Sequence, residues 1–73
     1  MTYDETKARL VLLARQNGGV VAASDVESDP DLAADKEITS AAGHALAGST
    51  NVFASPNDAG WFPYAELRFS ELR

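Results

Sequence analysis

Five apolar residues between Lys36 and Ala47 constrain this chain most. Ile38, Ala41, Ala42, Ala45 and Leu46 recur at i, i+3, i+4, i+7 and i+8, the spacing of one stripe along an α-helix. A helix predicted over 36–47 would bury that stripe. Its other face carries Glu37, Thr39, Ser40, Gly43, His44 and Ala47, which are small or polar and almost free of charge. Asp35 stands where an N-cap acceptor is needed, and Gly48 stands where the helix should stop.

The segments on either side fix the order of elements. Thr2 and Glu5 have the spacing of a capping box, which opens a helix predicted over Tyr3 to Asn17. Asn17-Gly18-Gly19 supplies a left-handed stop. Val20-Val21-Ala22-Ala23 reads as a short extended segment. Ser24 and Glu27 repeat the capping spacing, so a brief second helix is expected from Asp25. Pro30 disfavours helix at Asp29, or else begins another helical turn capped by Asp29. Val26 and Leu32 would face inward. After Gly48 the period changes. Residues 51–55 read as a strand, 56–60 as a turn and 61–64 as the returning strand, with Pro63 restricting that strand to an edge or an end. Alternation continues through Ser70, and a C-terminal helix over 64–72 is the competing reading.

Seventy-three residues make one domain, 1–73, with a small core. A chain of this size buries only roughly 60% of the surface its unfolded form exposes. There is no cysteine, so packing or a partner chain must supply the stability. No apolar run approaches membrane-spanning length, and no basic region followed by an apolar stretch opens the chain. The expected compartment is the cytoplasm, with no membrane partner.

Net charge is −5, and it is concentrated. Asp25, Glu27, Asp29, Asp31 and Asp35 fall within one short stretch that has no Lys or Arg, while the rest of the chain is balanced. A broad polyanion-binding surface would instead gather Lys and Arg on one face. The alternating carboxylates do not make a calcium loop that starts at Asp25. Pro30 stands where a glycine is required, and Lys36 where a bidentate glutamate is required.

Helix, short strand, short helix, helix, hairpin is the order of elements in a winged helix. Residues 18–26, leading into Ile38-Thr39-Ser40-Ala41-Ala42-Gly43-His44-Ala45-Leu46, resemble small prokaryotic winged helix-turn-helix domains over nearly the whole chain. The resemblance implies an α+β fold with three helices and a C-terminal β-hairpin wing. It also implies a small DNA-binding regulator whose third helix enters the major groove. Lys36, Thr39, Ser40, Gly43 and His44 would then face DNA, and Asn57 and Asp58 would tip the wing. Lys7, Arg9 and Arg15 could add backbone contacts. Few basic residues lie on these elements, and phosphate contacts usually dominate affinity. Charge thus argues for the alternative, an acidic winged-helix module that binds protein or a second copy of itself through Trp61, Phe62 and Tyr64, whereas the element order and the uncharged face of the third helix place DNA binding slightly ahead.

Enzymatic readings are weak. Ser40 and His44 lie one helical turn apart but have no orienting acid and no oxyanion turn nearby. Gly18-Gly19 follows a helix, whereas a phosphate loop follows a strand. One histidine and no cysteine make a zinc site improbable, and no cofactor is expected.

Overall fold

The computed structural model describes residues 1–71. Its elements in chain order are α1 (Tyr3–Gln16), β1 (Val20–Ala22), α2 (Ala23–Glu27), α3 (Pro30–Ala33), α4 (Lys36–Ala47), β2 (Val52–Pro56) and β3 (Tyr64–Phe69). The fold is α+β, with four helices and one three-stranded antiparallel sheet among the described residues.

The local signals for α1 act as their chemistry requires. Thr2 Oγ1 accepts the Glu5 amide at 3.1 Å, and Glu5 Oε1 accepts the Thr2 amide at 2.7 Å. Both glycines after the helix have positive φ, 69° at Gly18 and 100° at Gly19, which an L side chain adopts only at a cost. The Gly19 amide closes back on the Ala14 carbonyl at 2.7 Å.

The second reading at Pro30 holds, so the chain has four helices among the described residues where three were expected. Pro30 takes the first position of α3, where its missing amide costs nothing. Asp29 Oδ1 caps the Asp31 and Leu32 amides. Ser24 does not cap α2. That helix begins two residues earlier than expected, at Ala23, and the Asp25 carboxylate accepts the Ala22 amide instead. Asp35 caps α4 through the Ile38 amide at 3.1 Å.

The sheet runs β1-β3-β2. Val21, Leu67 and Ala54 align across it and turn toward the core. The next row, Val20, Arg68 and Phe53, lies on the opposite face. Ser55 faces Glu66 while Pro56 faces Tyr64, so Ala65 is left over as a bulge. The bulge resets the alternation and brings Tyr64 toward the helices. The returning strand therefore starts at Tyr64, three residues later than expected, and residues 57–63 form a loop. The helical alternative over 64–72 is replaced by strand through Phe69, and its last residue lies outside the described residues.

Leu10, Ala14, Val21, Val26, Leu32, Ala42, Phe62 and Leu67 form the core, each fully buried. Val26 and Leu32 face inward as expected. The phase of α4 differs. Thr39, Ala42 and Gly43 are buried and Leu46 is half-buried, whereas Ala41 and Ala45 are exposed. The buried stripe is rotated from the expected one by most of a residue's turn, ~100°. The cause is long-range. Thr39 Oγ1 donates to the Leu32 carbonyl at 2.8 Å, so a hydroxyl enters the core with its hydrogen bond made. Gly43 faces a ring that another element supplies.

Candidate interface on the fourth helix and the β2–β3 loop

That ring is Phe62, in the loop between β2 and β3. A Cβ added at Gly43 would lie 2.8 Å from its Cε1 and Cζ atoms. The loop is bound back on the body at several points. Glu27 Oε2 accepts the Phe62 amide at 3.0 Å. Asn57 Nδ2 donates to the Phe62 carbonyl at 2.8 Å, and the Asn57 amide donates to the Pro63 carbonyl at 3.1 Å. Asn57 Oδ1 accepts the Ala59 amide, which tightens the turn. Gly60 passes so close to Glu27 that a Cβ there would run into the carboxylate.

The aromatic residues follow this path. Trp61 and Phe62 meet edge to face at 6.2 Å, and Phe62 and Tyr64 at 6.1 Å. Tyr64 reaches α4, where its hydroxyl and His44 Nδ1 share a 2.7 Å hydrogen bond. The Lys36 ammonium sits 5.8 Å from the centre of the Trp61 ring. One network thus joins both ends of α4 to the loop.

Of the residues expected at a DNA surface, Lys36 and His44 are exposed and Ser40 is half-buried. Thr39 and Gly43 are interior, which removes them from any contact surface. The outer row of α4 is Glu37, Ala41 and His44, with Lys36 at its N-terminal edge. Of the residues expected at a protein contact, Phe62 is fully buried, while Trp61 and Tyr64 are half-buried against α4. Asn57 is occupied in holding the loop, and Asp58 is exposed.

The charges also pair in ways that sequence spacing does not reveal. Arg9 reaches from α1 to Asp29 at 2.9 Å and Asp31 at 3.4 Å, so it ties down the acidic segment and is not free for phosphate. Arg68 lies 3.5 Å from Glu66. The Lys7 ammonium sits over the Tyr3 ring at 5.4 Å.

A surface missed in the sequence lies away from this loop. Ala8, Val11 and Leu12 on α1 line a shallow groove with Leu46. A second groove shares Val11 and Leu46 with it and runs to Val52 and Phe69, while Phe53 is exposed on the opposite face of the sheet. Leu12 is 48% exposed and Phe53 73% exposed. The signal was present in the apolar run from Leu10 to Ala14, which sets apolar side chains on more than one face of the first helix. No helix among the described residues is long and apolar enough to cross a membrane. No protein-family model, curated protein or solved structure matches the chain.

Proposed function

We propose that this chain is a winged-helix interaction module that docks against protein and not against nucleic acid. The order helix, strand, helices, hairpin, with the first strand beside the last, supports the winged-helix arrangement. The observation that carries the functional reading is the groove that Ala8, Val11 and Leu12 of α1 form with Leu46, because exposed apolar side chains gathered on a small domain mark an interaction site. Two further features support it. The outer row of α4 carries one carboxylate, Glu37, with Lys36 as the one lysine at its edge, and the wing loop is folded onto the body with no basic residue in 57–63.

The specific observation favouring a DNA reading is the exposure of Lys36 and His44 on α4. Fluorescence anisotropy with a mixed-sequence labelled duplex separates the two. The protein-docking reading expects no saturable binding at low salt. Binding that weakens steeply with added salt and disappears in Lys36→Glu would replace it with the DNA reading.

A further inference from the structure

Asp4, Ala8, Val11 and Arg15 follow one another on α1 at intervals of four, three and four residues, which sets them along a single stripe of the helix. Leu12 flanks that stripe. Leu10 and Ala14 hold the opposite side in the core, so the stripe faces outward. Its middle is apolar and its ends carry opposite charge. Neither Asp4 nor Arg15 makes an ion pair among the described residues.

We propose that this stripe is the contact between two copies of the chain, with their first helices packed antiparallel about a two-fold axis. This rests on the reading of the chain as a protein-docking module and names its partner. The charge pattern selects the arrangement. In an antiparallel two-fold pair, every contact occurs twice with the roles exchanged. Setting Asp4 against Arg15 of the second copy also sets Arg15 against its Asp4. Because both pairs share one midpoint, Ala8 falls opposite Val11. The small side chain of Ala8 lets the helices approach closely, and Leu12 closes the seam. A parallel pair would set aspartate on aspartate and arginine on arginine. A foreign helix with acidic residues suited to Arg15 would still need a cation for Asp4. The stripe is therefore complementary to its own reverse.

Sedimentation equilibrium on the full chain over a concentration series tests this, with circular dichroism as the check on folding. The unmodified chain self-associates to a dimer. Asp4→Arg and Arg15→Asp each place like charges at both ends of the seam and weaken the dimer about tenfold or more. The double exchange restores it. An equimolar mixture of the two single variants forms a heterodimer, although neither dimerises well alone. Leu12→Asp, at an exposed position, abolishes the association without loss of helix. A chain that stays monomeric up to about 1 mM overturns the proposal, as does a dimer indifferent to the charge exchanges. A monomeric chain that also ignores duplex DNA leaves the protein-docking reading standing with a different partner. Saturable DNA binding removes that reading whatever the oligomeric state.

Discussion

The ring of Phe62 occupies the space that a side chain at position 43 would need, so the β2–β3 loop enters the core only because α4 carries Gly43 there. Replacing a helical glycine with alanine ordinarily gains about 1 kcal/mol. Here the new Cβ would press on a fully buried ring, and overpacking of this kind costs about 1–3 kcal/mol. Gly43→Ala should therefore lower stability to urea by about 1 kcal/mol, and Phe62→Leu introduced beside it should recover part of the loss. A more stable Gly43→Ala protein would contradict this packing.

Thr39 is the buried hydroxyl of α4, and among the described residues its one hydrogen bond is donated to the Leu32 carbonyl. Thr39→Val keeps the shape and leaves that carbonyl short of a partner, so stability should fall by about 1 kcal/mol. Thr39→Glu would place a charge in the core and unfold the domain. Thermal melts of the two variants check both statements.

Glu27 holds the β2–β3 loop through the Phe62 amide. Glu27→Ala should cost about 1.5–3 kcal/mol, the range for a hydrogen bond to a charged group. It should also accelerate hydrogen exchange at the Phe62 amide. Glu27→Gln keeps an acceptor and should lie between the variant and the native protein.

Glu5 gives the chain a small acid-side dependence. Its carboxyl is held below the ordinary glutamate range, chiefly by the backbone amide of Thr2 and then by the Thr2 side chain. A depressed carboxylate stabilises the fold above its unfolded pKa, and that contribution is lost as the pH falls through the lowered folded value. Glu5→Gln can still accept the Thr2 amide but does not titrate. Melting temperatures of the two proteins should therefore converge as the medium is acidified below the glutamate range and differ most above it.

What could be read in advance was local. The Thr2–Glu5 capping box, the Gly18-Gly19 stop and the Asp35 cap each act within a few residues, so composition and spacing suffice to find them. The position of α4 was legible and its rotation was not. A hydrophobic count scores Thr39 and Gly43 as surface, yet one is satisfied by a carbonyl seven residues earlier and the other is filled by a ring nineteen residues later. The hairpin was legible as two runs around a turn. The Ala65 bulge and the pull of the core on Phe62 moved its return to Tyr64. Arg9 looked like a free cation because its partners, Asp29 and Asp31, adjoin it only in the folded chain. The candidate site turns Thr39, Gly43 and Phe62 inward and leaves Ala8 and Leu12 of α1 exposed.

The most direct measurement is an amide chemical-shift map recorded while mixed-sequence duplex DNA is added at low salt. The account predicts that the amides of Lys36, Ser40 and His44 do not move, and that dilution alone shifts those of α1 between Asp4 and Arg15. Progressive shifts clustered on Lys36, Ser40, His44 and the β2–β3 loop as DNA is added would contradict it.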